Sequence, residues 1–380
     1  MAIYMMEPWY KKTSGGGNKT MTVILDLTNP DPTQWATYAD DAVGMVAGSD
    51  AWDEFFGHYP CILDSGVELG KLKRDNFAQY EDGTTAPITT LGKDVMICFP
   101  RRGIKLEYTD ANTLSVSMTN EEGKTGYSYM AHSYKGNDIS KFYLGAYKGY
   151  VSSNNLYSTS GQTPTGNITI GNFRTYAQAR GTGYEQSAFF QLTFRQAMYL
   201  LKYKGQDAQI AIGRGYVDGN SSAHATGGTN TSGMDWGENT GTDQMKLFGL
   251  EDFYGNIYEF IDGIYSNANR QIYVADGNYN DTGSNYTSAG TTSSSSNLTG
   301  YMRYPNGTNL AGFTLSTNSN KGTDSTYFCD YAYVYSSRLA YFGGDWNDAS
   351  GAGVFLLYVS RTASNATANV GGRLMYLPTT

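Results

Sequence analysis

The chain has 380 residues, with 27 Lys+Arg against 35 Asp+Glu and a formal net charge of -8. Having no long basic run, it lacks the basic stripe that phosphate recognition needs, which argues against nucleic acid as a main partner. With 33 Tyr and 46 Gly but only 16% charged residues, it reads as an aromatic, loop-rich folded chain, because disordered chains lack aromatics and carry excess charge.

The length allows two domains. Residues up to about Thr20 read as a flexible leader hinged at Ser14–Gly17. They lack the basic start and apolar core of a secretory signal, and no apolar run approaches bilayer length, so cytoplasmic synthesis without membrane insertion is expected. Thr22–Leu27 suggests a strand. Asp31-Pro32 suggests a helix start, with Trp35, Ala39, Ala42 and Val46 on one face. A second short helix capped by Ser49 is expected to bury Trp52, Phe55 and Phe56. These elements make a small N-terminal α+β module over residues 1–90, closed by a linker at Glu81–Pro87.

From Asp94 the pattern changes to short strands: DVMICFP, IKLEYTD, TLSVSM and KFYLGAYKGY. Thr193 and Gln196 make a capping box for a helix whose buried side is Ala197, Met198, Leu200 and Leu201, stopped at Gly205. Residues 267–326 read as long loop insertions. Cys61, Cys98 and Cys329 are too far apart for a disulfide framework or metal pattern and read as buried thiols. His58, His132 and His224 have no neighbouring catalytic pattern and read as hydrogen-bonded core or surface residues.

Near the C-terminus two glycine-bearing frames, FGGDW (Phe342–Trp346) and VGGRL (Val370–Leu374), bracket a stretch in which apolar residues mix with Asn, Ser, Thr, Tyr and Arg. Glycine pairs suit close backbone approach, and the filling is the small amphipathic set that binding surfaces favour. Upstream, Phe248–Phe260 reads FGLEDFYGNIYEF. This resembles the G-L-x-D-x-x-G-N-V-W-E-W signature of the formylglycine-generating-enzyme type of C-type lectin fold, matched at Gly249, Leu250, Asp252, Gly255, Asn256 and Glu259. The stretch Gly343–Arg373 is similar to the end of the phage major tropism determinant, in the family of variable proteins diversified by retroelements. The resemblance implies an α+β chain with a formylglycine-generating-enzyme-like C-type lectin domain over residues 91–380 and a variable region at about 330–374.

Carried over residue by residue, the resemblance implies variable, ligand-binding positions at Asp345, Asn347, Ala349, Gly351, Tyr358, Ser360, Arg361, Asn365, Thr367, Asn369 and Val370. Of these, Ala349, Gly351 and Val370 read equally as scaffold. Asp348 and Leu356 are additions, and the alternating Tyr331, Tyr333 and Tyr335 extend the surface. The implied function is binding of a host cell-surface protein or glycan from a phage or prophage tail tip, among virion tail components, as a trimer; the alternative is a bacterial surface adhesin.

An enzyme on the same fold is the third reading. It lacks support, since a copper site of the formylglycine-generating type needs a late cysteine pair and Cys329 stands alone. Trp346-Asn347-Asp348 reproduces the WND triplet of calcium-dependent lectins, but the companion loop is missing, Tyr304-Pro305-Asn306 being the nearest match. No catalytic residue, metal ligand or cofactor is therefore assigned, and a structural calcium is left with unknown ligands.

Overall fold

The computed structural model describes residues 17–219, 221–290, 293–318 and 321–379; nearly all of the expected leader lies outside the described residues. Side chains alternate across a strand, and Thr20–Asp26 uses that alternation to bury Met21, Val23 and Leu25. It lies between Ala36–Asp40 and Thr113–Thr119, with Gly103–Tyr108 beyond, in a four-stranded antiparallel sheet. The helix expected from Asp31 to Val46 is therefore corrected. Asp31 Oδ1 accepts from Thr33 N (2.8 Å) in a local turn, Ala36–Asp40 pairs as a strand, and Val46 is 69% exposed. A short helix is marginal by itself, whereas the open side of Thr20–Asp26 offers a full row of backbone partners. The next helix forms as expected over Ala51–Phe56, with Trp52, Phe55 and Phe56 buried.

A seven-stranded sheet has the order Tyr184–Gln186, Leu374–Tyr376, Lys141–Gly145, Asp94–Pro100, Tyr59–Asp64, Val67–Lys73, Asn76–Tyr80. Two sheets thus run across residue 90: Thr20–Asp26 pairs with Thr113–Thr119, and Tyr59–Asp64 with Asp94–Pro100. Glu81–Pro87 folds back on its own strand through Tyr80 N to Thr84 O and Ala86 N to Ala78 O, both 2.9 Å.

The third sheet carries the C-terminal stretch. Its order is Thr287–Ser288, Ile272–Val274, Tyr258–Ser266, Arg338–Phe342, Leu357–Arg361, Tyr331–Val334, Leu298–Tyr301, with Val370–Gly371 parallel to Tyr258–Ser266. Between the first and third sheets runs the helix Phe189–Tyr203, buried all round from Phe189 to Lys202, as expected of a helix in a core. It starts before the expected capping box: Ala188 is its N-cap, and Thr193 and Gln196 lie inside it, Gln196 Nε2 donating to Val354 O (2.9 Å). Burial of Phe189 and Phe190 extends it past the local signal.

Two apolar clusters result. The larger surrounds this helix. The smaller joins Cys61, Met96 and Cys98 of the seven-stranded sheet and Ile170 and Phe173 of a helix, Ile170–Gln178, to Tyr258, Phe260, Leu339 and Tyr341 of the third sheet. All three cysteines are buried free thiols. Among the described residues there are four α-helices in an architecture built mostly of sheets, so the class is not plainly the expected α+β. No described helix is long and apolar enough to cross a membrane.

Candidate ligand-binding surface

The two sequence motifs meet at one buried ion pair. Arg373 of the second glycine frame donates Nε to Glu259 Oε2 (2.7 Å), and its Nη1 and Nη2 reach the carbonyls of Gly145, Ala146, Glu251 and Asp252 at 2.9–3.2 Å. All five guanidinium donors are thereby used, and both side chains are fully buried. Burial alone would raise the Glu259 pKa, but Arg373, Lys148 and Arg195 together hold it well below the usual carboxylate range. The frames are stitched to the upstream motif by backbone bonds from Gly255 N to Gly343 O, Trp346 N to Asn256 O and Tyr258 N to Asn369 O. Glycine is required at two points. Gly344 has φ +88° and sits where a Cβ would come within 2.6 Å of Ala352 Cβ; a Cβ on Gly371 would come within 2.9 Å of Thr165 O.

This anchorage presents a continuous row of tyrosines. Strand register sets Tyr301 opposite Tyr331, Tyr333 opposite Tyr358, and Tyr358 opposite Tyr341. Ring centroids are 4.9 Å apart for Tyr301–Tyr331, 5.2 Å for Tyr331–Tyr333, 4.3 Å for Tyr333–Tyr358, 5.4 Å for Tyr358–Tyr341 and 4.4 Å for Tyr341–Tyr258. Most of these contacts are edge-to-face, the arrangement ring quadrupoles favour. A register shift between Leu339 and Ala340, against Arg361 and Val359, leaves Ser360 as the extra residue of a bulge. Ser360 bonds the Tyr341 side chain, and Arg361 lies 4.3 Å over the Tyr341 ring, so both join the row. Tyr335 extends it from Tyr333 at 5.4 Å.

Beside the row, Asp345 accepts from Asn347 N (2.8 Å) and Asn369 Nδ2 (2.5 Å), while Asp348 Oδ2 accepts from Asp345 N (2.7 Å). Burial pushes the Asp348 carboxyl up to about 6, opposed by a Tyr258 hydrogen bond and reinforced by the Asp345 charge. Gln209 Nε2 fixes the loop behind by donating to Ala349 O (2.7 Å) and Ala352 O (2.8 Å). The Thr362–Asn369 segment is tied down through Asn167 N to Thr367 O (2.9 Å).

Asn347 and Ala349 are exposed; Tyr331, Tyr333, Tyr335, Asp348, Gly351, Tyr358, Ser360, Arg361, Asn365, Thr367 and Asn369 are half-buried. Two positions differ from expectation, and a third, Val370, falls on one side of its two readings. Leu356 is fully buried in the smaller apolar cluster and has no surface to offer a ligand. Asp345 is 6% exposed and acts as an internal acceptor. Val370 is fully buried and pairs with Tyr258, which makes it scaffold. Sequence reasoning missed Tyr301, Tyr341 and Tyr258 as members of the row, of which Tyr341 and Tyr258, 5% and 4% exposed, form its buried inner end. Their signal, a tyrosine in each neighbouring strand, is visible only once the register is known.

No group of three or more His, Cys, Asp or Glu able to hold a metal ion occurs among the described residues. His58 and His132 are buried, with burial pushing both pKa values down to about 3, and His224 is exposed.

No family model matches the chain, and no curated protein matches it. Among solved structures it is similar to Treponema denticola variable protein 1, at 11% identity over 77% of this chain and 100% of that one, TM-score 0.32. It is also similar to the Major Tropism Determinant U1 variant, at 13% identity over 88% and 73%, TM-score 0.29. PvdO from Pseudomonas aeruginosa is a third, at 12% identity over 77% and 99%, TM-score 0.29. At TM-scores near 0.3 these likenesses decide neither fold nor function, and the surface is read from its own geometry.

Proposed function

We propose that this chain is a ligand-binding variable protein of the retroelement-diversified kind, with a C-type lectin fold of the formylglycine-generating-enzyme type, and that it binds without catalysis. The observation that carries the reading is convergence. Tyr331, Tyr333, Tyr358, Ser360 and Arg361, assigned as variable or surface-extending from sequence, lie in one tyrosine row beside Asp348 and Asn369. Tyrosine supplies contact area at low entropic cost, and Asn, Ser and Thr supply adaptable hydrogen bonds. Beneath them the Arg373–Glu259 pair holds the surface on a rigid frame, so the surface residues can change while the frame does not.

The setting proposed is a phage or prophage tail tip, with a host surface protein or glycan as partner and several copies per particle adding avidity. The test exchanges Asp345–Val370 for the same segment of another variant and measures which host cells each version binds. Ligand choice following the exchanged segment supports the reading; ligand choice following residues 1–90 overturns it.

A further inference from the structure

A second site lies away from the tyrosine row. A cleft of about 690 Å³ opens between the Ala51–Phe56 helix, the turn after Val67–Lys73 and the loop at 233–235, within the size range of ligand pockets. Its floor is a continuous polar chain. Tyr203 Oη donates to Asp235 Oδ2 (2.9 Å), Lys202 Nζ bridges Asp235 Oδ2 (2.6 Å) and Asp53 Oδ1 (2.7 Å), and Arg74 joins Asp53 Oδ2 (2.5 Å) to the His58 carbonyl (2.7 Å). Lys202 is 1% exposed. Burial works against its charge, but Asp235 and Asp53 outweigh that and hold its pKa above the ordinary lysine value. Only Lys202 of these charges is fully buried; the Asp53 and Asp235 side chains are 10% and 14% exposed and that of Arg74 41%, so the chain of charges is open to the cleft.

His58 points the same way. It lies among the residues lining the cleft, is 1% exposed, and has neither ring nitrogen hydrogen-bonded. It stacks on Phe99 and meets Phe248 edge-on. A buried polar group without a partner carries a desolvation cost that a water or ligand hydroxyl reaching it from the cleft relieves.

The rim decides the ligand class. Asp50, Glu54 and Asp75 are exposed acceptors, Lys71 and Arg74 are donors, and Lys71 Nζ lies 4.2 Å over the Tyr59 ring. The ionic floor excludes an apolar ligand, and the three rim carboxylates oppose an anionic one. Lys202 is already matched by Asp53 and Asp235 and Arg74 by Asp53, and the rim sets Lys71 among the three carboxylates, so the cleft offers hydrogen-bond donors and acceptors side by side. We infer that this cleft is a binding site for a neutral, hydroxyl-rich ligand, a short oligosaccharide. It is independent of the C-terminal surface and gives the chain a second point of attachment.

The experiment uses the full chain and saturation-transfer NMR with maltotriose and chitotriose as neutral probes, a sialylated trisaccharide as the anionic probe and trilysine as the cationic one. Each is titrated against the wild type, a Glu54→Lys/Asp75→Lys double variant, and Tyr358→Ala. Both altered rim residues are exposed, and thermal melts confirm that each variant is folded. The expected result is transfer to at least one neutral trisaccharide, unchanged in Tyr358→Ala and weakened about tenfold or more in the double variant, as for lost hydrogen bonds to charged groups. Absence of transfer from both neutral probes at millimolar concentration overturns the assignment. So does neutral binding that survives the double variant or is lost with Tyr358, and so does preference for trilysine or the sialylated probe.

Discussion

The Arg373–Glu259 frame and the Tyr358 surface belong to one region, Glu259 and Tyr358 standing on strands separated by Arg338–Phe342, yet they treat polar groups in opposite ways. Every donor of Arg373 is matched and no part of it meets solvent. On the surface, Arg361 Nε, Asn365 Oδ1 and Thr367 Oγ1 are shielded and have no hydrogen-bond partner within the chain. A buried guanidinium with every donor matched fixes the carbonyls around it in one backbone arrangement, whereas half-covered groups with unused valence are free to be replaced or to meet a ligand. The contrast explains how one stretch of about thirty residues can be both rigid and changeable.

The largest effect should come from breaking the frame. Arg373→Met leaves Glu259 buried beside Lys148 and Arg195 with its closest partner gone; a loss of about 3–5 kcal/mol is expected in urea unfolding. Trp346→Ala empties a site that is 8% exposed, and about 3 kcal/mol should be lost in the same assay. If either costs less than the surface substitutions that follow, the division into frame and surface is reversed.

Two smaller effects sharpen the division within the surface itself. Asn369→Ala removes the donor to buried Asp345 and should cost about 1–2 kcal/mol, while Asn365→Ala, which breaks no side-chain hydrogen bond in the chain, should stay within about 0.5 kcal/mol. Equal costs would place Asn369 with the freely variable positions. The last effect is pH-dependent. Asp348 titrates at about 6 in the folded chain, above its ordinary value of 3.8, chiefly through burial. The folded state therefore binds this proton more tightly, and the stability it contributes is full below about 3.8 and lost as pH rises through 6. In paired melts Asp348→Asn should gain on the wild type by about 2 °C between pH 4 and pH 7; a difference that does not change with pH removes Asp348 from the titrating groups.

Several parts of this arrangement were legible in the residues alone. The strands Asp94–Pro100 and Thr113–Thr119 show unbroken β patterning, Trp52, Phe55 and Phe56 mark a buried helical face, and Trp346, Phe355, Leu357 and Leu374 are buried as their apolar character implies. The Asp31–Val46 helix failed because local start signals do not know that a neighbouring strand has an open side. Leu356 was misplaced because it precedes the strand Leu357–Arg361 in a run, Val354–Leu357, whose side chains are all buried, so no alternation brings it to the surface.

Local chemistry therefore determined which short runs are buried and which glycines are needed, since burial and backbone freedom are properties of the residues themselves. Only the tertiary structure decided that Arg373 meets Glu259 and that tyrosines from five strands form one row. Both depend on strand order and register between segments up to 114 residues apart, and those are chosen by the packing of the whole chain.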